Sequence, residues 1–232
     1  MSFLFQNIKV SVDVAAFAYK DEQLFLLLQK QEDGLYKDQW SLPGESLFNN
    51  ESLLGSAKRA LVKTTTSPAN YIEQTQVIGE DVFRDNRGHI LSVVHSAFFS
   101  KEKMKFQDTV DKSRKKWFAI NELPQTMAFD HSKIIEFVIE KLREAIHFRP
   151  ISFEMLEDEF RFSDVEVIYS QLLEKELDRR NFRKKLLAFP FIEKTLNKVS
   201  TGNGRPAYLY RYNREKYSTL LATRNKYDLK FI

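Results

Sequence analysis

Between Trp40 and Thr66 the sequence places acids and bases at spacings that limit the chemistry open to it. A Leu42-Pro43-Gly44 turn leads to Glu45, then Glu51, and after seven further residues Arg59. Carboxylates repeated on one face of a helix hold a divalent cation, and that cation neutralises a diphosphate and activates water. After Arg59 the sequence carries Ala60, Lys63 and Thr64, none of them an acid. Lysine brings a positive charge and no ligand oxygen, and Glu51 alone cannot give a hard cation its several oxygens. No catalytic residue and no metal ligand is assigned to the stretch. Arg59 either orients the loop or pairs with Glu51.

Other polar and aromatic groups are candidates for holding a small molecule. Trp40 stacks on a base or sugar, or else sits in a core. Arg84 and Asp85 hydrogen-bond hydroxyls or phosphate, or else stabilise the Asp85-Asn86-Arg87-Gly88 turn. Phe129 and His131 flank Asp130 where a helix begins, as ligand contacts or as parts of its cap. His89 and His95 lie beside and within an apolar strand and are read as structural. There is no cysteine, which removes disulfides and thiolate metal sites and fits a reducing compartment. No cofactor and no transition-metal site is expected.

Charge is distributed unevenly. The net charge is +4, yet Arg179–Ile232 holds 14 Lys/Arg against 3 Asp/Glu, a balance of +11 that leaves 4 − 11 = −7 for Met1–Asp178. A basic block on an acidic body points to a polyanion partner for that block, or to a solvated basic surface. The apolar runs, such as Leu24–Leu28, are too short to span a bilayer, and Met1–Gln6 lacks the flank of a signal peptide. A cytoplasmic chain without a membrane partner is expected.

These groups need elements to position them. Ile8–Tyr19 and Gln23–Gln29 read as strands around a Lys20-Asp21-Glu22 turn, and Trp40–Leu42 as a short strand ended by Pro43-Gly44. Asn49 or Asn50 is expected to cap a helix with Glu51 in its first turn and Leu54, Ala57 and Leu61 on its apolar stripe. Tyr71–Phe83, Ile90–Phe99 and Trp117–Ile120 read as strands, Lys101–Lys116 as a loop. A helix capped by Asp130 or Ser132 runs to Ile146 with Ile134, Ile135, Val138 and Leu142 inward. This pattern predicts an α/β sandwich with a mixed sheet over residues 1–148. Residues 149–232 follow a different pattern. A short amphipathic helix is expected over Phe153–Phe160, a second from a Ser163 or Asp164 cap to Leu173, and a third from an Asp178 cap to Ala188. Strands Phe191–Val199 and Ala207–Asn213 follow. Three helices and a hairpin are the order of a winged helix-turn-helix. On the third helix Phe182, Leu186 and Phe189 face inward, Arg180 and Lys184 nearly opposite, and Asn181 and Arg183 on the flanks. Leu187 points outward against this pattern.

The Leu-Pro-Gly entry and its helix resemble the Nudix family, whose box reads G-x5-E-x7-R-E-U-x-E-E-x-G-U with U a bulky aliphatic residue. Glu51 and Arg59 keep the spacing and Leu61 fills an aliphatic slot. Glu45 stands in place of the first Gly, Ala60 of the Glu after Arg, Lys63 and Thr64 of the Glu pair, and Thr66 of the last Gly. With the tail included, the chain resembles the Nudix-related transcriptional regulators, among them repressors of NAD metabolism and regulators of sugar use. Arg84–Gly88, Phe129–His131, Arg180–Lys185 with Phe191–Thr195, and Gly204–Tyr210 carry that resemblance along nearly the whole chain. It implies a homodimer whose Nudix-like part senses an effector and whose winged helix binds double-stranded operator DNA. DNA contacts are then expected from Arg180, Asn181, Arg183, Lys184, Lys185, Lys198 and Arg205, and effector contacts from Trp40, Arg84, Asp85, Phe129 and His131. The effector would be a nucleotide-derived or sugar metabolite. Glu45 sets a carboxylate near the expected diphosphate, so ADP-ribose is one candidate beside a neutral sugar. The alternatives are a hydrolase of nucleoside diphosphate derivatives with a displaced acid, Glu45 or Glu80, and a structural or RNA-binding adaptor.

Overall fold

A computed structural model describes residues 8–105, 111, 113–200, 206–223 and 230–232. By its contacts the chain divides into two compact units. One holds the described residues up to Ala18 together with Phe25–Val138; the other holds Tyr19–Leu24 and the described residues from Ile139 on. No helix among the described residues is long and apolar enough to cross a membrane.

In the first unit a mixed sheet runs β3-β2-β1-β6-β5, made of β1 (Lys9–Lys20), β2 (Gln23–Lys30), β3 (Trp40–Ser41), β5 (Tyr71–Ile78) and β6 (Ile90–Phe99). Off this path β4 (Gly44–Ser46) pairs with β1 and β7 (Lys115–Ala119) with β2. β1 lies parallel to β6 and antiparallel to β4, with Asp13 opposite Gly44. β1 is buried on both faces, as its near-continuous apolar run demands. Val12, Val14 and Ala16 pack with Ala57, Ala60 and Leu61 of α1 (Leu53–Val62). Asp13 on the opposite face meets His131, the first residue of α2 (His131–Ala145), so helices cover both sides of the sheet. Ile134, Ile135 and Val138 of α2 are buried as expected.

Helix α1 starts later than its sequence suggests. Ser52 is the N-cap, its hydroxyl accepting from Gly55 N at 3.0 Å. Glu51 therefore lies outside the first turn, and Arg59 holds its carboxylate. Leu54, expected on the apolar stripe, is exposed, and Ala57, Ala60 and Leu61 carry the buried stripe.

The second unit contains α3 (Phe162–Leu173), α4 (Arg179–Leu186), α5 (Arg214–Thr223) and a sheet ordered β8-β10-β9, from β8 (Phe160–Arg161), β9 (Ile192–Val199) and β10 (Ala207–Tyr212). Phe153–Phe160 is not an amphipathic helix. Ile151–Met155 is a 3-10 turn buried at every position, which gives no solvated face for a helix to present. The Arg161 backbone N–H donates to Asp164, so Asp164 closes the start of α3 from its third position, and Arg161, not Ser163 or Asp164, is the cap. Phe182 of α4 packs edge-on against Tyr169 and Phe162, with ring centroids 4.7 and 6.2 Å apart. Leu186 is the last residue of α4 and Leu187 is half-buried just beyond it, which accounts for the one apolar residue that broke the helical pattern. The turn Asp21-Glu22 also belongs to this unit. Both residues have positive φ, as a tight two-residue hairpin turn requires. Gln171 grips the turn, accepting from Leu24 N at 2.9 Å and donating to Glu22 O at 2.7 Å.

Candidate effector cavity and nucleic-acid interface

A cavity of about 300 Å³ opens in the first unit, lined by Lys9, Val10, Ser11, Asp13, Gln31, Leu42, Gly44, Glu45, Ser46, Arg87, Ile90, Phe129 and His131. That volume lies at the small end of the range for ligand sites. Strand β1 supplies Asp13, whose carboxylate is buried, accepts from the Ser92 hydroxyl and lies 3.8 Å from His131 Nε2. The Leu42 backbone N–H donates to His131 Nδ1 at 2.9 Å, which leaves the ring proton on Nε2, on the side of Asp13. Burial holds the His131 pKa below the usual imidazole value, with Asp13 opposing that shift. The ring is therefore neutral at neutral pH and offers a donor to the cavity.

This depression sets a pH dependence. The unfolded imidazole takes a proton as pH falls through about 6.5, while the folded one does not until lower pH. The unfolded state then binds more protons, and stability falls with pH across that interval. The expected result is a Tm that drops between about pH 7 and pH 5, and drops less in His131→Gln, whose amide oxygen still accepts from Leu42 N. Equal slopes for the two proteins in thermal melts would refute the assignment.

Phe129 holds a left-handed backbone, φ +56°, an uncommon conformation for a bulky residue. Its ring meets Tyr36 at 4.5 Å, and the Arg87 guanidinium lies over it at 4.3 Å. Arg87 also donates to both Asp85 oxygens. Burial works to raise the Asp85 pKa, but the Arg87 hydrogen bonds outweigh it and hold the carboxyl below its usual range. Of the five expected effector contacts, Phe129 and His131 line the cavity and Asp85 positions Arg87, which does so too. Arg84 makes a two-pronged pair with Asp130, at 2.8 and 2.6 Å. Trp40 packs edge-on against Phe118 with Lys30 over its ring. Sequence reasoning missed Asp13, Lys9 and Gln31. Asp13 carried a usable signal, because an acid inside an otherwise apolar core strand is costly unless it has work to do. His95, read as structural, is buried and lies 3.3 Å from Val93 O.

Beside the cavity, Arg59 organises the segment from β4 to α1. Its Nε and Nη2 donate to Glu51 at 2.8 and 2.7 Å, Nη1 to Glu45 at 2.7 Å, and Nη2 also to Ser46 O at 2.8 Å. The guanidinium lies 4.0 Å from the Phe48 ring centroid. The hydrogen bond from Arg59 holds Glu51 below the usual carboxylate range. Lys63 pairs with the other Glu45 oxygen. Ala60 is buried in the apolar cluster, and Thr64 accepts from Lys115 Nζ at 3.2 Å. This donor set does not suit a divalent cation. Both carboxylates are already bonded to cations, and among the described residues no group of three or more His, Cys, Asp or Glu could hold a metal ion.

In the second unit Arg179, Arg180, Asn181, Arg183, Lys184 and Lys185 are exposed along α4, while Phe182 and Leu186 are buried. Asp178 caps this helix, accepting from Asn181 N at 3.1 Å and from the Asn181 side-chain amide at 2.6 Å. Arg183 is partly committed, stacking 4.6 Å from the Phe162 ring centroid and donating to Tyr210 Oη at 2.9 Å. On the hairpin, Lys194 and Lys198 stand 3.5 and 4.4 Å over the Tyr208 ring. Arg205 lies outside the described residues. An exposed helix of this charge, with a basic hairpin in the same unit, is chemically suited to phosphate contacts and base edges.

Comparison with known proteins agrees with this architecture. The NUDIX domain family matches residues 9–138, and the chain belongs to it. Residues 152–212 match the NrtR DNA-binding winged helix domain, so the fold is a Nudix domain with a mixed sheet followed by a winged helix. The chain is 26% identical over 212 residues to the ADPR responsive transcriptional repressor NtrR of Acinetobacter baylyi, covering 90% of this chain and 83% of that one. The crystal structure of Shewanella oneidensis NrtR complexed with a 27mer DNA superposes with a TM-score of 0.81 at 28% identity, over 90% of this chain and 95% of the other. The NUDIX domain of the same protein complexed with ADP ribose matches at 32% identity and TM-score 0.53, over 60% of this chain and 90% of that one.

Proposed function

We propose that this protein is a homodimeric, cytoplasmic, effector-responsive transcriptional regulator that hydrolyses nothing. Residues 1–148 sense the effector and dimerise; residues 149–232 bind operator DNA. The observation that carries the reading is the union in one chain of a Nudix cavity beside fully ion-paired acids and a helix, α4, with five cations on its exposed surface. The first feature suits binding without turnover, and the second suits a duplex phosphate backbone.

ADP-ribose is the proposed effector. It is the ligand named for both relatives, and the cavity offers matching chemistry. Lys9 and Arg87 suit phosphate, Asp13 and the His131 Nε2–H suit hydroxyls, and the Phe129 ring suits a flat ring. Glu45 no longer argues against a diphosphate, because Arg59 and Lys63 neutralise it. The test is fluorescence anisotropy on the DNA upstream of the protein's own gene, with and without ADP-ribose, beside an assay for AMP release with magnesium present. Salt-sensitive binding that ADP-ribose alters, with no AMP formed, is expected. Turnover, or equal binding to unrelated DNA or structured RNA, would overturn the reading.

A further inference from the structure

Leu196 is 97% exposed, more than any other large apolar side chain among the described residues. It lies in β9, with Lys194 two residues before it and Lys198 two residues after. A single exposed leucine is ordinary on a protein surface, but this one is built into its place. Lys198 pairs with Tyr208 and Lys194 with Tyr210, so Thr195, Leu196 and Asn197 stand against Leu209 alone. Such a bulge bends a strand and re-aims its side chains. Both neighbours of Leu196 pin it. Thr195 donates its hydroxyl to Leu209 O at 3.1 Å and accepts from Asn197 N at 3.3 Å. The Asn197 side-chain amide donates to Glu159 at 2.8 Å, and Glu159 also accepts from Arg211 at 3.0 Å. A leucine on a pinned bulge has little backbone freedom left to lose on binding.

The surroundings point to what covers it. The Lys194 and Lys198 ammoniums both stand over the Tyr208 ring. Strand alternation puts Tyr208 on the face of Tyr210, whose hydroxyl accepts from Arg183 of α4. The cations of the hairpin and those of α4 thus share one side of the second unit. A duplex offers phosphates along each edge of a groove and, between them, sugar and base surface against which leucine side chains pack. The major groove suits a helix such as α4, whereas the minor groove, about 6 Å wide, admits a side chain. We propose that Leu196 is a DNA-reading residue that enters the minor groove, with Lys194 and Lys198 on the flanking phosphates, and selects an A·T pair there. Guanine would meet the leucine with its N2 amino group, a donor left buried without an acceptor, and an A·T pair presents no such donor. The role rests on operator binding by the second unit.

Fluorescence anisotropy on the DNA upstream of the protein's own gene tests it. Leu196→Ala is expected to bind at least about fivefold more weakly than the native chain. Its Tm and its salt dependence are expected to be unchanged, because the side chain is exposed in the free protein and releases no counterion on binding. Leu196→Met is expected to restore most of the affinity. The groove is read by exchanging the A·T pairs of the bound site one at a time for G·C and for inosine·cytosine. The latter lacks the N2 amino group yet shows the major groove of G·C. At one A·T position or more, G·C is expected to weaken the native chain at least about fivefold, inosine·cytosine to restore it, and Leu196→Ala to be indifferent to the exchange. Native affinity in Leu196→Ala would show that the leucine serves a partner other than DNA. A shallower salt slope in that variant would assign its loss to the lysines. Inosine·cytosine as poor as G·C at every sensitive position would move the contact to the major groove. Each of these overturns the inference and leaves operator binding in place, whereas a native chain without salt-sensitive binding would overturn both.

Discussion

Replacing Arg180 and Lys184 together by alanine is expected to weaken binding to the upstream DNA by at least about tenfold and to flatten its salt dependence. Every cation that neutralises a phosphate adds roughly 0.9 to the steepness of log K against log salt. Taking away two such cations would lower it by about 2, with little change in Tm, because both side chains are exposed on α4 and neither packs in the core. Arg183→Ala offers a contrast. Its guanidinium stacks on Phe162 and donates to Tyr210, so its removal is expected to lower the Tm as well as the affinity. An unchanged slope in the double variant would remove α4 from the DNA interface.

Gly44→Ala is expected to shift the response to effector to at least about tenfold higher ADP-ribose while leaving DNA binding intact. A Cβ at residue 44 would lie 2.2 Å from Asp13 Oδ1 and 3.2 Å from the Val12 carbonyl oxygen. The carboxylate cannot simply step aside, because Ser92 and the pairing of β1 with β4 hold it in place. Relief must come from moving Asp13 or β4, both parts of the cavity wall. The overpacking is expected to cost about 1–3 kcal/mol and to weaken ADP-ribose by at least about tenfold, since the displaced carboxylate no longer meets the ligand. Calorimetric titration of ADP-ribose into the variant checks this, and native affinity would show that Asp13 and the rim strand take no part in binding.

Much of the fold was legible because its physics is local and periodic. The alternating and then continuous apolar run of β1, the stripe of α2 and the cap Asp178 followed by Phe182 and Leu186 each specify an element within a few residues. The departures occur where distant partners decide. Glu51 reads as a first-turn acid, but the helix is capped one residue later by Ser52. Phe153–Phe160 looks amphipathic, yet its start belongs to the 3-10 turn Ile151–Met155, which is buried at every position. Helix α5 buries no residue and so left no apolar period to find. At the site, Phe129 and His131 were visible from their place at a helix start. Lys9 and Gln31 were not, because a cavity formed by three strands has no spacing in sequence. The pairing of Arg59 with Glu51 was among the expectations, whereas that of Glu45 with Arg59 and Lys63, 14 and 18 residues away, was not.

The grip of Gln171 on the Asp21-Glu22 turn has a consequence for how the chain is made. The partners lie 147 and 149 residues apart, so the second unit is not finished by folding the C-terminal segment on itself. During synthesis the Asp21-Glu22 turn is made long before α3, so the bonds of Glu22 and Leu24 to Gln171 form only once α3 has emerged. The closing of so long a loop comes late and slowly. A fragment that begins at residue 149 would therefore lack part of its own fold, and the regulatory and sensing halves are made to mature as one chain.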